Sequence, residues 1–327
     1  MQKRNICVAS LALAVTLGSL SAATAQVYPS RPIKMLVPTT AGGPTDTIGR
    51  IMADGMRAHL PQPVVVENVP GASGSIGAGR VAKAAPDGYT LGLGNLPWYV
   101  FNGAIYDLPY DLATAFEPVS LITSDPIVLV ARKDLPAKDL KELIGWLKAK
   151  PDPALAGTGG IGSLGQIVGV NFEKATSANL QFVPFRGFAE AGTGLMGGHI
   201  DLLMGPIAGF LPQVHAGTIK AYAVFEQTRL AVAPEIPTAD ETAVPGLVMS
   251  SWHGFFVPRG TPKEIIATLN AAAVKALSDP TVRQRLTDIG QKLHAPEELT
   301  PEVLGARQKA DIEKWWPIIR AAGIRAE

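Results

Sequence analysis

Short apolar runs and longer stretches of helical spacing alternate along most of the chain. Residues 33–37 read as a strand that closes on a glycine-rich turn. Ile48, Ile51, Met52 and Met56 then fall on one helical face. Residues 64–66 predict a second strand, glycine-rich residues 71–77 lead into a helix carrying Ile76 and Val81, and residues 91–93 predict a third strand. A further strand is expected at 127–131, followed by a helix whose face carries Leu140, Leu143, Ile144 and Leu147. The rhythm restarts with a strand at 154–156, a glycine-rich turn, and a helix with Leu164, Ile167 and Val168. A strand at 181–183, a helix over 189–196 and strands at 200–204 and 221–225 continue it. Beyond about residue 250 the pattern predicts mainly helix, with Ile265, Ile266, Leu269, Val274 and Leu277 as apolar positions. Trp315, Trp316, Ile318 and Ile319 are expected to pin the last helix to a core. Such alternation implies parallel strands with crossover helices. Two similar α/β halves, with a helical tail returning to the first, predict a two-lobed clamp.

The N-terminus changes the picture of where the chain works. Lys3 and Arg4 precede an apolar stretch over residues 6–20, and Ala23-Thr24-Ala25 supplies small residues for a signal peptidase. Cleavage is expected before Gln26, which makes residues 1–25 a signal peptide and the mature chain a periplasmic protein of 302 residues. That length suggests two domains. The single cysteine, Cys7, lies inside the signal, so the mature chain needs neither disulfides nor thiol chemistry. Without Lys3 and Arg4, 27 basic residues face 28 acidic ones, a balance that argues against a nucleic-acid partner. No apolar run beyond the signal is long enough to span a bilayer.

Two glycine-rich strand-to-helix turns carry the candidate chemistry. The first is Pro38-Thr39-Thr40-Ala41-Gly42-Gly43-Pro44-Thr45-Asp46, the second Gly157-Thr158-Gly159-Gly160-Ile161-Gly162-Ser163-Leu164-Gly165. Each opens a helix whose first N–H groups have no intrahelical acceptor and lie at the positive end of the dipole. Glycines let those groups approach an anion, and hydroxyls add donors. Neither loop holds Lys or Arg, so a carboxylate would bind through neutral donors. The same turns also read as ordinary helix starts capped by Asp46 and Ser163. Spacing alone does not separate the two readings.

Enzymatic readings are thin. Residues 160–165 match G-x-G-x-x-G with Arg186 downstream, the one feature that fits an NADP-type oxidoreductase. No G-x-S-x-G elbow occurs, and His59, His199, His215, His253 and His294 form no metal-ligand spacing. No cofactor is expected. Trp98, Tyr99 and Phe101 follow the third strand, and Phe185 and Phe188 follow the strand at 181–183. Carboxyl ends of parallel strands are where open α/β sheets place ligands.

Several blocks together carry a resemblance. Tyr28-Pro29-Ser30-Arg31-Pro32-Ile33, the segment from Ala41 to Asp46, Val65 to Gly77, Ala84 to Leu91, Val183-Pro184-Phe185-Arg186-Gly187, Glu235-Ile236-Pro237-Thr238 and Pro258 to Pro262 occur in order. In this series the chain resembles the solute receptors of tripartite tricarboxylate transporters, the Bug proteins. The resemblance implies a type II-like Venus-flytrap fold of two α/β lobes, residues 26–122 with 250–327 and residues 123–249, closing over a small organic carboxylate. It implies that the backbone of Thr40 to Asp46 and of Thr158 to Ser163 grips the carboxylate. It also implies a non-catalytic receptor that delivers the ligand to membrane permease subunits; a periplasmic sensor feeding a signalling system is the alternative, and a monomer is expected.

Departures from the family pattern bear on the ligand. After the third strand the chain reads Asn95-Leu96-Pro97-Trp98-Tyr99-Val100-Phe101, with Tyr99 where the family often has histidine and Trp98 added. Gly205 stands where many members carry an acid, which removes a partner for an ammonium group. Glycine there, opposite aromatics, suggests room for a flat body and favours a terephthalate-type aromatic carboxylate. The candidate contacts are therefore Thr39, Thr40, Ala41, Gly42, Gly43, Thr45, Asp46, Asn95, Trp98, Phe101, Thr158, Gly159, Gly160, Gly162, Ser163, Phe185 and Gly205.

Overall fold

Five residues with a single exposed position, Lys34, form β1 (Ile33–Val37). It lies between β2 (Val64–Asn68) and β3 (Thr90–Asn95), parallel to both. The structure is a computed structural model that describes residues 28–326. The expected signal peptide, residues 1–25, lies outside the described residues.

Helix α1 (Pro44–Met56) follows β1 and buries Ile48, Ile51, Met52 and Met56, the face its spacing marks out. Helix α2 (Ser75–Ala82) links β2 to β3; Val81 is buried, whereas Ile76 is half exposed. A π-helical turn over Pro97–Phe101 and the short α3 (Asn102–Ile105) come next.

Strand β4 (Phe116–Arg132) is 17 residues long and joins the two halves. The sequence pattern gave only its second part, 127–131, because the first part carries Glu117, Pro118, Ser120, Thr123, Ser124 and Asp125 without alternation. Helix α4 (Leu140–Ala149) starts at Asp139, whose carboxylate accepts from the Glu142 N–H. In the second half, β5 (Ala154–Thr158) lies parallel to β6 (Leu180–Pro184) and to β7 (Leu202–Pro206). Helices α5 (Leu164–Thr176) and α6 (Phe188–Met196) make the crossovers. β7 and β8 (Ile219–Val224) both pair antiparallel with β4, from Ile127 and Val128 onward.

The expectation of mainly helix after residue 250 fails at its first element. Residues Ser250–Pro258 form β9, a nine-residue strand inserted between β3 and β4 and antiparallel to both. All but its first residue are buried. A strand covered on both faces shows no apolar–polar alternation, and Ser251, His253 and Gly254 interrupt the apolar run that would otherwise mark it. Its pairing with β4 runs from Phe116 to Pro126, and the β7 and β8 pairing begins immediately after. β4 thus passes from one sheet to the other between Pro126 and Ile127. Beyond α7 (Lys263–Ser278), the short β10 (Lys292–Leu293) also joins β4. In the last helix, α8 (Pro301–Ala321), Trp315 and Ile319 are buried, and the Trp316 indole N–H donates to the Val100 carbonyl at 2.8 Å.

Candidate functional site

Both glycine loops stand at the carboxyl ends of parallel strands, β1 and β5, where helices α1 and α5 begin. In the first loop, Gly42 takes a left-handed φ of 85° and its N–H donates to Asp46 Oδ2 at 2.8 Å. Asp46 also accepts from Arg50 Nε at 2.9 Å and from Asn68 Nδ2 at 2.9 Å. Asn68 reaches on to the Thr39 carbonyl at 3.2 Å. Burial alone would raise the Asp46 carboxyl; hydrogen bonds from Arg50, the Gly42 N–H and Asn68 outweigh it and hold the group below its ordinary range. The expectation for Asp46 therefore narrows to its backbone N–H. Its carboxylate is buried and committed to three donors that fix the loop.

The start of α1 has Gly43 at the N-cap and Pro44 next, with no side-chain cap. Asp46 does satisfy a backbone N–H, that of Gly42, but from the first turn of the helix and not from the N-cap position. Thr40, Ala41 and Gly42 are exposed, while Thr39, Gly43 and Thr45 are half-buried. The Thr45 hydroxyl lies 3.3 Å from His253 Nε2 on β9.

The second loop repeats the construction. Gly162, with φ of 70°, donates its N–H to Gln166 Oε1 at 2.7 Å, again four residues ahead in the first turn of the helix. Thr158 is buried and its hydroxyl donates to the Gly160 carbonyl at 3.2 Å. Ser163 occupies the N-cap without capping. Its Oγ is buried and has no hydrogen-bond partner among the described residues. A buried hydroxyl without a partner costs about 1–3 kcal/mol, so one at an uncapped helix start marks a place where an acceptor belongs. The loop also touches the other half of the molecule: a Cβ on Gly162 would meet Ile105 Cδ1 at 2.5 Å.

The aromatic and glycine expectations divide. Asn95 ends β3 opposite His253 and accepts the Trp98 N–H at 3.1 Å. Trp98 is half-buried, its ring covering Gly74. Phe101 is fully buried and meets Trp315 edge-on at 5.6 Å between centroids, so it is a core residue and leaves the candidate set. Tyr99 likewise stacks on Phe256 at 4.2 Å, fully buried. Phe185 packs within the second half against Gly157 and Gly194.

Gly205 does not provide the room read from its lack of a side chain. The Phe188 ring fills that space, at 2.7 Å from where a Cβ would stand, and the same ring covers Gly159 and Gly165. An aromatic side chain of the protein sits where an aromatic ligand was anticipated. Arg50, Asn68, Gln166 and Ile105 are the site-shaping residues that sequence reasoning missed. The one available signal was the repeated spacing of Gly42 to Asp46 and Gly162 to Gln166.

Among the described residues, no group of three or more His, Cys, Asp or Glu side chains is placed to hold a metal ion, and no helix is long and apolar enough to cross a membrane.

Comparison with known proteins agrees with this architecture. An Agrobacterium vitis protein named for the TAR-I ttuE-ttuC' intergenic region is 37% identical over 90% of this chain and 86% of its own length. Among solved structures, MatC from Rhodopseudomonas palustris with bound malate is 37% identical, superposes with a TM-score of 0.81, and matches 89% of this chain and 100% of its own. A second R. palustris protein, solved with adipate, gives 31% identity and a TM-score of 0.83 over 91% of this chain and 100% of its own. Residues 48–324 match the model of the tripartite tricarboxylate transporter family receptor, TctC. With two sheets joined through β4 and two braced, uncapped loops, the chain belongs to the tripartite tricarboxylate transporter receptor family, whose members are two-lobed periplasmic solute-binding proteins and not enzymes.

Proposed function

We propose that this protein is an uptake receptor that holds the carboxylate of a small organic acid between its two glycine loops and presents it to a membrane permease. The observation that carries this reading is the shared construction of the loops. In each, a left-handed glycine donates to a side chain four residues ahead, and the helix start is left uncapped. A side chain that braces the loop in this way leaves helix-start N–H groups without a side-chain cap, which suits an anion. The lobes are residues 26–122 with 250–327 and residues 123–249, the ligand being enclosed between them. Export through cleavage before Gln26 and action as a monomer complete the proposal.

For the ligand, the aromatic-acid preference now rests on Trp98 and on the exposed part of Phe188, since Tyr99 and Phe101 are core and the space at Gly205 is filled. A second reading, an aliphatic dicarboxylate, is favoured by the malate and adipate held by the two R. palustris proteins. Calorimetry with malate, adipate, citrate, benzoate and terephthalate separates the two. Binding of at least one acid, returned unchanged and accompanied by compaction in small-angle scattering, is the expected result. If none of these acids binds or raises the melting temperature, the receptor reading fails.

A further inference from the structure

Behind the first loop runs a chain of five polar side chains that the carboxylate site itself does not require. Thr45 Oγ1 lies 3.3 Å from His253 Nε2, and His253 Nδ1 lies 3.5 Å from Thr123 Oγ1. The Thr123 hydroxyl donates to Gln291 Oε1 at 2.7 Å, and Gln291 Nε2 donates to Asp125 Oδ1 at 3.1 Å. His253, Thr123, Gln291 and Asp125 are all buried. The chain runs from the first turn of α1, through the centre of the sheet, to the residue before Pro126, where β4 passes between the two sheets.

Donor counting fixes the direction of every link. Thr123 has one hydroxyl proton and gives it to Gln291, so toward His253 it accepts, and Nδ1 must carry the imidazole proton. Nε2 is then an acceptor, and the Thr45 hydroxyl donates to it. In this state Thr45 turns only lone pairs toward the cleft, which repel a carboxylate oxygen and suit a ligand hydroxyl.

A proton on Asp125 permits the opposite arrangement. The Asp125 O–H donates to Gln291 Oε1 once the amide turns over, and Gln291 Nε2 donates to Thr123. Thr123 then donates to Nδ1, Nε2–H donates to Thr45, and the Thr45 proton is released toward the cleft. One proton is added, at Asp125. The imidazole keeps a single proton throughout and only its ring position changes.

We propose that His253 is a positioning residue which, through this chain, lets Asp125 set whether Thr45 offers a donor or an acceptor to the ligand. The inference rests on the reading of the first loop as a carboxylate site. Two features make the reversal accessible near neutral pH. Burial lifts the Asp125 carboxyl to about 7, only partly offset by the hydrogen bond from Gln291. Burial also lowers His253 to about 4, the neighbouring Gln291 opposing it only in part, so the ring stays neutral and its tautomer carries the message. Other charged and titratable groups surround this point, and among them Glu226 keeps one buried oxygen, Oε1, without a partner among the described residues. On β10, Lys292 pairs with Glu226 at 3.2 Å; His294 meets Ser124 Oγ at 3.0 Å and Glu298 at 3.5 Å. From β9, the residues opposite Asp125 and Ser124 are the uncharged Ser251 and Trp252.

The test is nitrogen NMR of the His253 ring in the intact protein, titrated from about pH 5.5 to 8.5, with malate affinity measured by calorimetry at both ends. The wild-type ring should change from Nδ1–H to Nε2–H as pH falls through the Asp125 transition. In Asp125→Asn, which has no carboxyl to titrate at this position, it should keep one tautomer throughout. Malate should bind about ten-fold more tightly at the acid end, the worth of one hydrogen bond to a charged group, and the difference should vanish in Asp125→Asn. A wild-type ring that keeps one tautomer across the range overturns the proposal, as does a tautomer change that leaves malate affinity independent of pH. If the tautomer changes while no acid binds at either pH, the relay stands and the receptor reading falls.

Discussion

Removing the Ser163 hydroxyl should move stability and affinity in opposite directions. Its Oγ is shielded from solvent and meets no partner among the described residues, so the unliganded protein carries the cost of a desolvated polar atom. Such a group costs about 1–3 kcal/mol when left unmade. Ser163 is only half-buried as a residue, so the lower end of that range applies. Alanine keeps the backbone: Ser163 has φ of −65° and ψ of 159°, ordinary extended values, and makes no capping bond that would be lost. Ser163→Ala should therefore raise the unliganded melting temperature by about 2 °C, the scale of ~1 kcal/mol in a chain of this size. A carboxylate in the cleft would accept from that hydroxyl, and a hydrogen bond to a charged acceptor is worth about 1.5–3 kcal/mol. Affinity should accordingly fall about ten-fold or more. Differential scanning fluorimetry without ligand and calorimetry with the tightest-binding acid of the panel measure the two effects. A variant that melts lower than wild type and binds equally well would refute the reasoning, because Ser163 would then be an ordinary structural residue.

Trp98→Ala should weaken an aromatic acid by about 1–3 kcal/mol and an aliphatic dicarboxylate much less, a contrast read from paired titrations. Gly205→Ala should lower stability by about 1–3 kcal/mol, seen in chemical denaturation, because the added Cβ would stand 2.7 Å from the Phe188 ring. The two buried groups give opposing pH slopes. Asp125, raised from 3.8 to about 7, binds its proton more tightly when folded, so its contribution declines as pH rises from about 4 to 7. His253, lowered from 6.5 to about 4, binds its proton less tightly when folded, so its contribution grows over about pH 4 to 6.5. Asp125→Asn removes the first slope alone, and denaturation midpoints of that variant should rise more steeply than wild type across the acid range.

Much of the architecture was legible because local patterns and burial agree. The helix face of Ile48, Ile51, Met52 and Met56, the strands at Ile33–Val37 and Ala154–Thr158, and the two glycine turns all lie where spacing places them. Long helices with one covered face and strands ending in glycine declare themselves within a few residues. The family blocks followed from the same local information.

What failed depended on partners distant in sequence. Strand β9 has β3 and β4 on its edges, the last helix over one face through Leu304 and Asp311, and α7 residues such as Leu269 packed with Phe255, and no window around His253 contains that fact. Gly205 looked like space for a ligand, yet Phe188 fills it from another element. The Asp46 carboxylate gave no local sign of its role, and Arg50 together with Asn68 from β2 makes it a brace. By itself the sequence determined the elements, the two loops and the lack of a cation in either, since each is written in neighbouring residues. Only the tertiary structure decided which side chains face the cleft, because a side chain's surroundings are set by whatever the fold brings against it.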